Sequence, residues 1–148
     1  MSLKATILND VKQALRAGDK LRLKTLRMVT AAIKQREVDE RIELDDTQTL
    51  AIVEKMIKQR RESASAYRDG SRPELAAVEE AEIEVLQAYL PEPLSDAELD
   101  AMIDRALASV DAQGMAAMGP VMATLKTQAQ GRADMGEVSK RVRARLQS

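Results

Sequence analysis

The chain has 148 residues, roughly the size at which one ordinary domain buries about 68 to 70 per cent of its unfolded surface, so no metal or disulfide is needed to hold it. Twenty-three Lys and Arg oppose twenty-four Asp and Glu, and the net charge of -1 points to neither a nucleic-acid nor a membrane partner, leaving any such partner to a local patch. Cys, His, Trp and Phe are absent, which excludes thiol catalysis, Cys/His zinc sites, Ser/His/Asp triads and base stacking on aromatic platforms.

Turn residues and caps divide the chain into segments of helical length with almost no two-residue alternation of Val, Ile and Thr, so the fold class is all-α. Leu3, Ile7, Val11 and Leu15 form the inner stripe of a first helix, and Gly18 supplies the positive φ that ends it. Leu23, Leu26, Val29 or Thr30, and Ile33 continue a 3.6 period from Lys20 to about Val38, giving a second helix antiparallel or nearly so to the first. Asp45 or Asp46 caps a long third helix that carries Leu50, Val53, Ile57 and Ala64 inward and ends before Gly70. Pro73 at the first helical position opens a fourth helix with Leu75, Val78, Ile83, Leu86 and Tyr89, running to about Leu90.

Pro91 and Pro93 remove two amide donors and push their predecessors out of the helical region, so residues 91–94 read as a linker between subdomains 1–90 and 95–148. Ser95 with Glu98 is a capping box opening a helix with Leu99, Met102, Ile103 and Leu107 on one side. A short helix follows from about Met118 to Gln130 and ends at Gly131. Asp134 with Glu137 starts the last helix, whose inner stripe is Met135, Val138, Val142 and Leu146. The longest uncharged stretch, Ala112 to Leu125, holds two Gly and a Pro and is shorter than the ~18 residues of a membrane span. With no leader-like segment and no Cys, the expected location is the cytoplasm.

The charges fall in three blocks. Residues 1–41 carry ten cations against five acids, +5; Glu74 to Asp111 carry eleven acids against Arg105, -10; Lys126 to the end carry six cations against two acids, +4. Lys20, Lys24, Arg27 and Lys34 share one narrow stripe of the second helix, suited to a phosphate backbone unless it is a solvated face or is covered by the acidic fourth helix. Lys140, Arg141, Arg143 and Arg145 sit on a helix whose apolar stripe faces inward, so they are expected to point to solvent or to a partner. Glu79, Glu80, Glu82 and Glu84 have no His or second cluster to complete a metal site and read as structural. Gly114 to Gly119 lacks the Lys and Ser or Thr of a phosphate-binding loop and reads as a mobile turn bearing Met115 and Met118. No metal, cofactor or catalytic residue is expected.

Leu26-Arg27 with Ala31-Ala32-Ile33-Lys34, Ile57 to Ser63, Tyr89-Leu90-Pro91, Leu94-Ser95, Met118-Gly119 and Gly131-Arg132-Ala133-Asp134 together resemble the YqeY family of small bacterial proteins. The C-terminal part of that family is similar to the tail domain of GatB, a subunit of the tRNA-dependent amidotransferase. The resemblance covers almost the whole chain and implies an all-helical N-terminal subdomain followed by a GatB-like module. It implies tRNA as partner, and an amidotransferase or aminoacyl-tRNA synthetase as a possible second one. The positions it places against RNA are Lys126, Gly131, Arg132, Lys140, Arg141, Arg143 and Arg145, reading phosphate and shape rather than sequence.

The carbon-nitrogen ligase activity with glutamine as amide donor that accompanies the family is read as belonging to the larger enzyme, because this chain has no Cys nucleophile, no amidase Ser/Lys loop and no ATP-phosphate loop. Alternatives are a protein-protein adaptor that uses the acidic 74–111 block, and an enzyme participating in tRNA-dependent amidation.

Overall fold

The computed structural model describes residues 1–147, and its regular structure is helical throughout. Seven α-helices follow in order: α1 Leu3–Ala17, α2 Lys20–Glu40, α3 Asp46–Asp69, α4 Pro73–Gln87, α5 Asp96–Ala108, α6 Met118–Ala129 and α7 Met135–Gln147, with a short 3₁₀ segment Gly114–Ala117 leading into α6. They form two compact units, Met1–Leu90 and Pro91–Ser148.

In the first unit, Gly18 at φ 70 and the Asp19 cap turn α1 into α2 within two residues. Lys4 pairs with Glu37 at 2.8 Å and Asp10 with Arg22 at 3.5 Å; partners whose order reverses along the two helices make them antiparallel. Asp45 and Gln48 form a full capping box at α3, and Pro73 stands at the start of α4, where its missing amide leaves no bond unmade. The α3/α4 pair is also antiparallel, since Arg60 meets Glu82 while Arg68 meets Glu80. The core gathers Ile7, Leu26, Val29, Ile33, Val53, Ile57 and Leu86.

Two expected core residues lie outside. Leu15 is 57% exposed, and Ala14 takes its place in the core. A four-residue step drifts about 40° each time round a helix, whereas Ile7 and Ala14, seven apart, stay nearly in line. Val78 is 46% exposed, while Ala76 and Glu82 are the buried neighbours on α4. The helix also ends at Gln87, short of Leu90.

In the second unit, Ser95 and Glu98 form the complete capping box, and Asp134 accepts a hydrogen bond from the Gly136 amide at the start of α7. Ile103, Val121, Leu125, Ala129, Val138 and Val142 make its core. The segment from Gly114 is a 3₁₀ turn continuous with α6, with Gly119 already helical and Met115 exposed.

Candidate nucleic-acid interface

The seven positions singled out in the C-terminal unit divide into three groups. Gly131 is buried with φ 80, a left-handed conformation that lets α6 stop and the chain turn toward α7. Arg132 is fastened to its own unit: its Nε donates to the Glu92 carbonyl at 2.8 Å, its Nη2 lies 3.9 Å from Glu98, and its carbonyl accepts from the Leu94 amide at 2.8 Å. The Gly131-Arg132 turn thus ties the end of α6 to the stretch before α5.

Arg141 and Arg145 are engaged inside the unit. Asp96, Asp100 and Asp104 recur every fourth residue on α5, and the two arginines recur every fourth residue on α7. Arg141 lies 2.6 Å from Asp96 and 3.4 Å from Asp100, with Glu137 at 3.8 Å. Arg145 lies 3.2 Å from Asp100 and also pairs with Asp104. The result is an interleaved ladder, Asp96-Arg141-Asp100-Arg145-Asp104, in which α5 and α7 run in the same sense. The hydrogen bond to Asp96, followed by its charge and that of Asp100, raises the Arg141 pKa above its ordinary value. The sequence places all four cations of this cluster toward solvent or a partner; for Arg141 and Arg145 the structure corrects this, because the opposing α5 acids have matching spacing and hold them.

Lys126, Lys140 and Arg143 form the third group: all are exposed, and none makes an ion pair among the described residues. At about 100° per residue, Lys140 and Arg143 lie on average about 150° round α7 from Arg141 and Arg145. Gly136 and Gln147 share their face, which carries no acid; the nearest, Glu137, is turned toward Arg141. The helix therefore spends two of its four clustered cations on internal order and presents two.

The stripe on α2 is differently placed. Lys20, Lys24, Arg27 and Lys34 are all exposed. The acidic fourth helix does not cover it: Glu80 turns to Arg68, and Glu82 is held by Arg60 at 2.7 Å while touching the stripe through Lys24 at 3.5 Å. This Arg60-Glu82 pair, buried between α3 and α4, is absent from the sequence reading. Its only sequence signal is two charged residues standing where the apolar periods of their helices call for core positions.

The acidic block is also largely occupied. Of its eleven acids, Glu74, Glu80, Glu82, Asp96, Glu98, Asp100 and Asp104 pair with cations of their own unit. Among the described residues no group of three or more Asp or Glu is arranged to hold a metal ion, and no helix is long and apolar enough to cross a membrane.

Residues 4–146 match the family described as Yqey-like protein. The chain is 36% identical over 101 residues to the Vanderwaltozyma polyspora protein named altered inheritance of mitochondria protein 41, mitochondrial, a match covering 66% of this chain and 55% of that protein. The protein of the same name from Lachancea thermotolerans is 35% identical over 106 residues, 70% of this chain and 57% of the relative. That from Pyrenophora tritici-repentis is 29% identical over 136 residues, 90% and 75% respectively. The chain spans little more than half the length of the first two relatives.

Proposed function

The chain belongs to the Yqey-like protein family, and from that premise we propose that it is a non-catalytic, tRNA-binding accessory protein whose C-terminal unit grips the RNA backbone. The observation that carries this reading is the division of labour on α7. Arg141 and Arg145 brace the helix against α5, and Lys140 and Arg143 stand on its acid-free outer face. On a braced helix the backbone is already fixed, so meeting phosphates costs only side-chain freedom, and each contact releases counterions. The resemblance to the GatB tail that the sequence of this unit carries is what favours tRNA as the RNA. With no aromatic side chain in the unit, contacts are to phosphate and shape.

The adaptor reading draws less support, because seven of the eleven acids it needs are already paired. The amide-forming chemistry stays with the larger amidotransferase, and this chain contributes RNA contacts beside it or beside a synthetase.

The test is equilibrium binding of tRNA to a Lys126→Gln, Lys140→Gln, Arg143→Gln variant. The variant keeps its fold and loses affinity; an unchanged affinity removes the C-terminal unit from the interface.

A further inference from the structure

We propose that the outer face of α2, in the N-terminal unit, is a second RNA-backbone surface, a rail formed by Lys20, Lys24, Arg27 and Lys34; this rests on the tRNA-binding reading above. The helix buries Thr25, Leu26, Val29 and Ile33 on one side. At about 100° per residue the four cations fall within an arc of about 80° on the opposite side, and the rise of about 1.5 Å per residue spreads them over about 21 Å. Ala31 and Val38 share the arc, and no acid does.

The acids elsewhere on α2 are committed. Glu37 binds Lys4, Glu40 binds Arg36, and Asp39 accepts from Gln35. Lys20, Arg27 and Lys34 make no ion pair among the described residues. Lys24 reaches Glu82 at 3.5 Å yet stays 64% exposed, and Glu82 is already satisfied by Arg60. The rail is therefore a row of charge in which Lys24 alone is partly compensated, on a helix fixed by the Asp19 cap and by its buried side.

A phosphate backbone fits this row better than a lipid surface. Small Ala31 is the one apolar residue between the outermost cations on the arc, and Met28, to one side, has its sulfur engaged by Arg60 Nη2 at 3.4 Å. Val38 on the arc, with Leu21 and Met28 beside it, is exposed, but these are separated by seven to ten residues and do not make the continuous apolar face an interfacial helix requires.

The test uses the full-length protein, unfractionated tRNA, and three variants that each remove three positive charges. The first changes Lys20, Arg27 and Lys34 to Gln; the second changes Lys126, Lys140 and Arg143; the third, a control on α3, changes Lys55, Lys58 and Arg61, which are exposed and make no ion pair among the described residues. Circular dichroism and urea unfolding establish that each is folded. The α2 variant binds tRNA roughly tenfold or more weakly at low salt, and its log-log salt slope is shallower by roughly 2 to 3, at about 0.7 to 0.9 per lost phosphate contact. The α3 control keeps at least most of the wild-type affinity.

Wild-type affinity and slope in the α2 variant overturn the rail while leaving the tRNA reading intact. An equal loss in the α3 control overturns it too, by reducing the effect to net charge. Failure of the folded wild type to bind tRNA at all overturns both. Binding to phosphatidylglycerol vesicles or to polyglutamate that is as tight as to tRNA, and lost in the α2 variant, overturns the assignment to RNA.

Discussion

Arg60 Nε donates to Glu82 Oε2 at 2.7 Å inside the N-terminal unit, with both side chains more than nine-tenths buried. The pair fixes α3 against α4, and both partners make further contacts. Arg60 also donates to the Met56 carbonyl and the Met28 sulfur, and Glu82 faces Lys24 with its other oxygen. Desolvating two charges is costly, so either one left alone is worse than both or neither. Glu82→Leu or Arg60→Met is expected to destabilise the unit by about 3 to 5 kcal/mol, and the two together to recover most of that loss. Urea denaturation reads this directly. A double variant as unstable as the sum of the singles contradicts it.

On α7, neighbouring cations separate stability from binding. Arg141→Gln removes contacts to Asp96, Asp100 and Glu137 that are partly screened by water, and lowers the unfolding midpoint of the C-terminal unit modestly. Lys140→Gln changes stability by no more than about 0.5 kcal/mol and instead lowers RNA affinity. Thermal unfolding and tRNA binding measured on the same two variants show opposite rank orders.

Tyr89 donates its hydroxyl to Asp10 at 2.6 Å, and Asp10 also faces Arg22. Burial first, and then the hydrogen bond to Asp10, push the phenol from its ordinary 10.0 up to about 12. The neutral phenol is the form the fold favours. The associated stability is therefore complete below pH 10 and is lost as pH rises toward about 12. In a Tyr67→Phe variant, Tyr89 is the lone chromophore near 295 nm, and its alkaline titration has a midpoint near 12 while the protein stays folded. A midpoint at 10.0 shows that Tyr89 is neither buried nor bonded to Asp10.

Glu37 accepts from Lys4 and from the Leu44 amide, and these bonds hold its carboxyl below the ordinary 4.5. A depressed carboxylate stabilises the fold above its unfolded pKa, and that contribution disappears as pH falls through the folded value. Glu74 and Glu98 are shifted in the same direction by Arg72 and by Ser95. Urea midpoints followed from neutral pH to below 4.5 fall more steeply for the wild type than for Glu37→Gln. Parallel curves contradict the assignment.

Local chemistry made several element boundaries legible. The Ser95/Glu98 box, the cap at Asp45 or Asp46, Gly18 and Pro73 act through the nearest few residues, and the structure gives the open cap to Asp45, with Gln48 completing it. What lies on which side of a helix was less legible, because it depends on neighbours far along the chain. Ala14, Thr25, Thr49 and Ala76 are fully buried though their side chains are small or polar, while Leu15 and Val78 face water. Small residues at these positions let helices approach closely, and propensity does not record that.

The same limit applies to the candidate site. Four cations from Lys140 to Arg145 look alike in sequence, but Arg141 and Arg145 differ from their neighbours by matching the four-residue repeat of Asp96, Asp100 and Asp104. That pairing joins helices about forty residues apart in the chain. The signal was present as a shared period in two segments, and only their packing side by side makes it an interaction.

The most direct test of the account is binding of tRNA to the folded wild-type protein across a series of salt concentrations. The account predicts measurable binding at low salt that weakens linearly in log-log form, with a slope of at least roughly -2 from Lys126, Lys140 and Arg143 alone. No binding at low salt, or binding indifferent to salt, contradicts it.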